Sequence, residues 1–403
     1  MNAPQQLYKQ NEPMGLNIGN ESHIENILPV GKSSRALGVI IIVLFVGILL
    51  SFLVNIGVSA YLGSEDLVDE YYDGEDHPNI IISDFADTFY LSKKIRGNII
   101  KVDYKLFNRL PTSEVLLGDG EFLFPTVDEE TGYNYVADYF GELKPTDIEL
   151  NRYFNGISEL TEEYREHGTE IYFIIIPNSQ TVYPELMPDY MGNISENTRL
   201  KTVTRYLGKR AVQNYLDLTD ALSNAKENGE LYNNTEDSLN SRGAYYAYRA
   251  VINKLPSFIR KEITPVELNA GDLVHHTTAG KVLARKTSLE NEIKNRTVSL
   301  STDFVQKYQI YLSFEDYEYD MAYAKRNYKD ELPTMPRIQF QFSSEWDKII
   351  MIDYFSNTFG NTIYRTSPEL NPTVIGKTDP AYVICFIHEK DLHMLADGSL
   401  LPE

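Results

Sequence analysis

Apolar residues follow two different spacings that alternate along the chain. They recur at helical spacing over residues 146–168, and an unbroken apolar run, TEIYFIIIP, follows at 169–177. The first pattern predicts an amphipathic helix, and the second predicts a strand buried on both faces. Further helices are predicted at 197–211 and 241–255, and further strands at 212–218, 348–353 and 381–387. Repeated strand–helix–strand units predict a doubly wound α/β sheet.

The predicted strand KIIMID continues into YFSNTF, and together they occupy residues 348–359. We predict a buried strand, a sharp turn and the first turn of a helix there. Doubly wound sheets bind ligands at the carboxyl ends of their strands. Asp353 and Tyr354 are therefore expected at the ligand-binding edge, and so are the residues that follow Ile176 and Leu218.

The most apolar segment of the chain lies near its amino terminus, at residues 37–59, where no Asp, Glu, Lys or Arg occurs. A helix of this length crosses roughly 30 Å of hydrocarbon, so we predict a transmembrane helix. A signal peptide cleaved near Ala60 is the alternative. Lys32 and Arg35 precede the segment and acidic residues follow it, which predicts a cytoplasmic amino terminus.

This interpretation divides the chain into four parts. Residues 1–36 are a cytoplasmic tail and 37–59 are the transmembrane helix. Residues 60–97 are an acidic juxtamembrane linker, and 98–403 are an extracytoplasmic α/β domain. The predicted location is thus the cell membrane, with a single span.

Charge and composition exclude several classes of function. The net charge of −21 disfavours binding to nucleic acid or to anionic lipid. The single cysteine, Cys385, forms no internal disulfide and excludes zinc sites of the usual cysteine type. The seven histidines show no HExxH spacing, so we expect no metal and no cofactor. The 29 tyrosines and 18 phenylalanines are compatible with stacking on sugars.

A series of segments carries the strongest functional signal. In chain order they are VLLGDGEFLF (115–124), GTEIYFIIIPNSQTVYPELMP (168–188), YLDLTDAL (215–222), LYNNTEDSLNSRGAYYAY (231–248), GDL (271–273), KIIMIDYFSNT (348–358) and VICFIHEKDLHML (383–395). The series resembles the alginate O-acetyltransferase and DHHW-motif families, membrane-anchored extracytoplasmic relatives of the SGNH hydrolases. The resemblance implies an SGNH-hydrolase-like, flavodoxin-like doubly wound sheet.

Family members carry an Asp-x-His pair before a Gly-Ala helix start and a serine in a later Gly-Asp-Ser-Phe turn. A serine hydroxyl attacks an ester only when an imidazole takes its proton and a carboxylate holds that imidazole. Counted back from Gly243, Glu236 replaces the aspartate and Ser238 replaces the histidine. In the later motif Asp353 matches, whereas Tyr354 stands in place of the serine.

These substitutions predict a catalytically degenerate member that binds a glycan or a partner. The alternative is an active O-acetyltransferase or esterase whose site is rearranged around Ser356 or Ser238, with His388 or His393 as base. Covalent catalysis by Tyr354 is a further possibility, which a pKa near 10 disfavours. The resemblance also implies substrate contacts by the side chains Asn178, Tyr183, Asn240 and Arg242.

The resemblance implies a role in cell-surface polysaccharide O-acetylation or envelope assembly. It also implies two partners, the polysaccharide itself and a membrane-bound O-acyltransferase that delivers acetyl groups. A purely structural anchor is a third class of function, for which no glycan binding is expected.

Overall fold

The computed structural model describes Val46 and residues 90–401, except 111, 270, 308–309, 317–320, 327–336, 361 and 368. Arg96–Glu403 form one compact unit. Among the described residues, no helix has both the length and the apolar character that crossing a membrane requires. Apart from Val46, the predicted transmembrane helix at 37–59 lies outside the described residues, and so does the predicted cytoplasmic tail.

Helices and strands alternate over the described residues. The helices are α1 Tyr90–Phe107, α2 Tyr135–Tyr139, α3 Asp147–Glu166, α4 Ser179–Val182, α5 Arg199–Lys209, α6 Thr219–Ala225, α7 Ser241–Lys254, α8 Ser257–Glu262, α9 Val282–Lys286, α10 Thr302–Lys307, α11 Glu345–Ser356, α12 Pro372–Thr378 and α13 Met394–Asp397. The strands are β1 Val115–Leu117, β2 Leu123–Pro125, β3 Glu170–Ile176, β4 Tyr215–Asp217, β5 Leu273–Ala279, β6 Lys294–Leu300, β7 Ile310–Asp316, β8 Met321–Arg326, β9 Ile338–Phe342, β10 Thr362–Arg365 and β11 Tyr382–His388.

A seven-stranded sheet has the order β4-β3-β11-β9-β10-β8-β7. The first five of these strands are parallel, β8 is antiparallel to β10, and β7 is antiparallel to β8. Numbered by chain position, the parallel strands run 2-1-5-3-4. The flavodoxin-like order is 2-1-3-4-5, so the prediction of a flavodoxin-like strand order is wrong. The last strand of the chain is inserted between β3 and β9.

Both faces of the sheet are covered by helices, as the doubly wound prediction requires. Ile174 and Ile176 of β3 point into one core, together with apolar residues of α7 and α11. Phe173 and Ile175 point into the other core, with residues of α3, α5 and α12. This alternation follows from the two-residue period of a strand, and it explains why β3 is an unbroken apolar run.

The helix α3 shows how local sequence sets an element. Thr146 accepts a hydrogen bond from the backbone N–H of Glu149, whose carboxylate accepts one from the Thr146 N–H. This capping box satisfies donors that have no partner inside the helix. The buried side chains that follow recur three or four residues apart.

The predicted strand at residues 348–353 is wrong, because these residues lie in α11. The buried side chains of α11 recur at helical spacing, and they include Asp347, Ile350, Met351, Tyr354 and Phe355. The strand in this part of the sheet is β9, ten residues earlier, with the sequence IQFQF. The strand-to-helix turn therefore lies at Ser343 and Ser344, not at Tyr354.

Tyr354 is a core residue. Its side chain is fully buried, and its hydroxyl donates a hydrogen bond to the Ser241 carbonyl at 2.7 Å. Its ring stacks on Tyr248, with 5.6 Å between centroids. Burial raises the pKa of the Tyr354 phenol well above its ordinary value. The residue therefore joins α11 to the first turn of α7, and its hydroxyl is buried and hydrogen-bonded to the backbone.

The change Tyr354→Phe is expected to lower the free energy of unfolding by about 1–2 kcal/mol, because it removes the buried hydrogen bond from the Tyr354 hydroxyl to the Ser241 carbonyl. Urea denaturation of the variant and the parent protein measures this loss. Tyr190→Phe is the matched control, since Tyr190 is 76% exposed and should change stability little. Equal effects of the two changes would contradict the structural role of Tyr354.

Candidate functional site

A cleft of about 700 Å³ opens beside the carboxyl ends of β9 and β11. Its floor and walls include polar and aromatic side chains from five separate parts of the chain. Those that matter for chemistry are Tyr135, Ser238, Ser344, Trp346, His388 and Lys390. The cleft lies where the connections of the sheet diverge, which is where ligands bind in open α/β sheets.

Ser344 occupies the turn between β9 and α11. Its backbone is extended, with φ −138° and ψ 133°, and it is the N-cap residue of a twelve-residue helix. A helix amino terminus carries a partial positive charge and unsatisfied N–H groups, both of which stabilise an oxyanion. The hydroxyl of Ser343, one residue earlier, is buried and has no hydrogen-bond partner among the described residues.

His388 ends β11 and faces the same cleft. Its Nε2 atom lies 2.6 Å from Oδ2 of Asp347, a carboxylate in the first turn of α11 that is 1% exposed. Burial disfavours the charged imidazole, but the Asp347 carboxylate, with smaller contributions from Asp391 and Asp237, outweighs it. The pKa of His388 is therefore raised. Since Nε2 is bonded to Asp347, the Nδ1 atom is the one left to exchange a proton.

The loop before α7 forms the opposite wall of the cleft. Ser238 Oγ accepts a hydrogen bond from Asn233 Nδ2 at 3.0 Å. The carboxylate of Asp237 accepts one from the Ser179 N–H at 2.7 Å, and burial raises its pKa. Burial also raises the pKa of Glu236, whose side chain lines the cleft. This wall therefore carries hydroxyl and carboxyl groups.

Close packing holds this loop in place. A Cβ atom added at Gly243 would lie 2.2 Å from the carbonyl oxygen of Leu231, so only glycine fits there. Trp346 Nε1 donates a hydrogen bond to the Leu239 carbonyl at 2.8 Å, which ties the start of α11 to the loop. The Trp346 ring is 40% exposed and lines the cleft.

A buried polar network supports His388 from behind. Glu389 accepts hydrogen bonds from the Asn178 N–H at 2.7 Å and from Thr181 Oγ1 at 2.8 Å. Burial and the nearby Asp138 raise the pKa of Glu389 to about 8. Arg199 donates to the carbonyls of Glu389 and Lys390. These bonds join the ends of β3 and β11, and so they fix the backbone that carries His388.

Some of the expected site residues line the cleft, and others lie away from it. Glu236, Ser238, His388 and His393 line the cleft. Tyr354, Asp353 and Ser356 do not. Ser356 is the last residue of α11, about 18 Å along the helix axis from its start. Its buried hydroxyl lies 2.7 Å from the Tyr364 hydroxyl. Burial raises the pKa of Asp353 to about 6.

The expected substrate-contacting residues lie outside the cleft lining. Asn240 is fully buried and caps α7. Its side-chain oxygen accepts hydrogen bonds from the backbone N–H groups of Arg242 and Gly243. Tyr183 accepts a bond from the Leu231 N–H at 2.8 Å. Arg242 donates to the Glu230 carbonyl at 3.2 Å, and Asn178 belongs to the network behind His388. All four contribute to the structure that holds the cleft.

Ser344 and Asp347 were missed in the sequence. The available signal was the two-residue alternation of IQFQF, followed by a serine and, three residues later, an acid at a helix start. Two glutamines made that strand less apolar than KIIMID, which led to the wrong assignment. The pairing of Asp347 with His388 joins positions 41 residues apart, and no local pattern indicates it.

The pKa of His388 is expected to fall in the variant Asp347→Asn, because the change removes the negative charge that favours the imidazolium. NMR titration of the histidine ring protons measures the shift, with exposed His276 as the internal control. Lys348→Met, which keeps the length of a neighbouring side chain on α11, tests whether any change in the helix start has the same effect. A His388 titration that is unaltered in Asp347→Asn would contradict the pairing.

A known family model matches part of the chain. Residues 135–310 match the family model described as "SGNH hydrolase-like domain, acetyltransferase AlgX". The match includes the loop at Glu236 and Ser238 and ends before Ser344 and His388. It confirms the resemblance that the motifs indicated. No curated protein sequence matches the chain.

Several solved structures are similar to this chain. The O-acetyltransferase domain of Pseudomonas putida AlgJ is 14% identical, covering 71% of this chain and 94% of its own, with a TM-score of 0.44. Bacillus cereus PatB1 is 13% identical, covering 71% and 98%, with a TM-score of 0.45. A DHHW family protein from Eubacterium siraeum is 13% identical, covering 72% and 95%, with a TM-score of 0.43.

Proposed function

We propose that this chain transfers acetyl groups to the hydroxyls of a cell-surface polysaccharide, because residues 135–310 match the family model described as an SGNH hydrolase-like domain, acetyltransferase AlgX. The nucleophile in this proposal is Ser344, the base is His388, and Asp347 orients and stabilises the imidazole. This is the rearranged-site alternative of the sequence analysis, with Ser344 in place of Ser356 or Ser238.

One observation carries the proposal. Ser344 and His388 line the same cleft, and His388 is hydrogen-bonded to the buried Asp347 at 2.6 Å. A hydroxyl at a helix start, an imidazole and a carboxylate are the three groups that serine acyl transfer needs. Their elements are adjacent in the sheet, since β9 pairs with β11.

The reaction proceeds in two balanced steps. In the first, the Ser344 Oγ–H proton passes to Nδ1 of His388 as Oγ bonds to the acyl carbon of a donor ester. The oxyanion that forms is stabilised by the amino terminus of α11, and the donor alcohol leaves with the proton held by His388. In the second, a glycan hydroxyl gives its proton to His388 and attacks the acyl-serine. As the acyl–serine bond breaks, His388 returns this proton to Ser344 Oγ, which restores the serine and leaves the acetyl ester on the glycan.

The second candidate function is binding without catalysis. It is favoured by Glu236 and Ser238, which stand where the family resemblance expects an aspartate and a histidine. Ser238 accepts a hydrogen bond from Asn233, and a hydroxyl in this position does not act as a general base. In this alternative the chain holds a glycan or a partner for another enzyme.

The proposal also includes the location and the acetyl donor. Residues 37–59 anchor the chain, with the domain on the outer side of the membrane, where cell-surface polysaccharide is found. A membrane-bound O-acyltransferase delivers the acetyl group to the cleft. The observations that support this are the uncharged apolar segment and the charge asymmetry around it.

The variant Ser344→Ala is expected to lose covalent labelling by an alkyl fluorophosphonate and the acetyl adduct formed with an activated acetyl ester. Intact-mass spectrometry with peptide mapping detects both adducts. We expect the rate of ester turnover to fall by about 10²–10⁴-fold in Ser344→Ala and His388→Ala. The rate in the parent protein should fall as the pH drops through the pKa of His388, which lies above the ordinary histidine value, because the base must be neutral.

Two variants serve as controls for this experiment. Ser356→Ala and Tyr354→Phe should keep both adducts, since these side chains are buried away from the cleft. Folding of every variant is checked by circular dichroism. Absence of any adduct on Ser344 in folded parent protein would reject the catalytic proposal and favour the binding function.

A further inference from the structure

Acidic side chains outnumber basic ones in the lining of the cleft. Six carboxylates face it, and two lysines are the only lining residues with a permanent positive charge among the residues described. No arginine belongs to the lining in this described part of the chain. The carboxylates, here called the acidic rim, are Asp128, Glu129, Glu130, Glu236, Asp237 and Asp391.

Each basic side chain in the lining already has a carboxylate partner. Lys286 Nζ lies 2.7 Å from Glu129 Oε1, and Lys390 Nζ lies 2.8 Å from Asp128 Oδ2. The two histidines are also placed beside acids. His388 bonds to Asp347 at 2.6 Å, and His393 lies 3.9 Å from Asp397.

These pairs determine what the cleft can offer to a ligand. A carboxylate, sulfate or phosphate on a sugar is normally met by arginine or lysine. Here such a group would have to displace Asp128 from Lys390 or Glu129 from Lys286, while Glu130 and Asp391 repel it. At long range, the net charge of −21 disfavours the approach of any polyanion.

The remaining lining groups suit an uncharged sugar. Trp346 offers an apolar ring, 40% exposed, to the non-polar face of a pyranose. The hydroxyls of Ser238, Ser344 and Thr131 also line the cleft and can bond to sugar hydroxyls. Ser343 adds a buried hydroxyl without a hydrogen-bond partner among the described residues.

We propose that the acceptor is a glycan whose residues carry no anionic groups where they enter the cleft. This inference rests on the proposed function for the identity of the site, and it adds the substrate class. The acidic rim acts as a specificity element that excludes uronic acids and phosphorylated or sulfated sugars.

Binding measurements test the inference without requiring catalysis. The probes are two matched pairs of pentasaccharides. Within each pair the sugars differ only at C6, which carries a hydroxyl in the neutral member and a carboxylate in the anionic member. The first pair is a β-1,4-glucan and the corresponding β-1,4-glucuronan, and the second is a galactan and the galacturonan of the same linkage. Trp346 is the only tryptophan of the chain, so intrinsic fluorescence reports on the cleft directly. The full-length protein in detergent is titrated at low and at high salt.

At low salt, at least one neutral pentasaccharide should change the Trp346 fluorescence, and its anionic counterpart should bind at least about tenfold more weakly. High salt should reduce this difference in affinity, since screening weakens the repulsion between the acidic rim and the anionic sugar. Glu130→Lys should strengthen binding of the anionic sugar by about tenfold or more, whereas the exposed control Glu262→Lys should not.

Two results would overturn the inference: anionic sugars that bind as tightly as the neutral ones at low salt, or no fluorescence response to any probe. Failure of the catalytic proposal gives a different pattern. In that case Ser344 forms no adduct, but the discrimination against anionic sugars and its reversal in Glu130→Lys are still observed.

Discussion

The insertion of β11 between β3 and β9 is the constraint on which the candidate site depends. Pairing with β3 runs over all of Tyr382–His388, and pairing with β9 covers its first five residues. The strand therefore has little freedom to shift, and its last residue, His388, lies beside the turn that follows β9. Ser344 belongs to that turn and Asp347 to the helix after it. Strand order therefore places Ser344 and His388 at the same cleft and Asp347 beside His388.

Burial makes this arrangement costly unless the polar groups are satisfied. Asp347 is almost fully buried, and its bond to His388 supplies a partner for one oxygen. Glu389, next in the chain, is held by Asn178 and Thr181, with a pKa raised to about 8. A carboxyl group that is largely protonated at neutral pH avoids most of the cost of a buried charge. The same network keeps the end of β11 in place.

The cleft combines parts of different origin. The loop at Glu236 and Ser238 lies within the region that matches the AlgX family model, whereas Ser344, Asp347 and His388 lie beyond it. In the proposed chemistry, the base comes from the end of β11 instead of the loop before α7. The acidic rim surrounds both parts, which links the choice of substrate to the same cleft.

Periodicity in the sequence determined β3, α3 and α7, because each has a strong period and clear end signals. Short motifs in the sequence indicated the resemblance that the family model matches over residues 135–310. Strand order, the assignment of residues 345–356 and the pairing of Asp347 with His388 were decided only by tertiary structure. An apolar run such as KIIMID suits a buried helix as well as a strand, and contacts between distant segments leave no periodic trace. Tyr354 was placed wrongly because its apolar run was taken for a strand. Ser344 was missed for the same reason, and also because its contacts join distant segments.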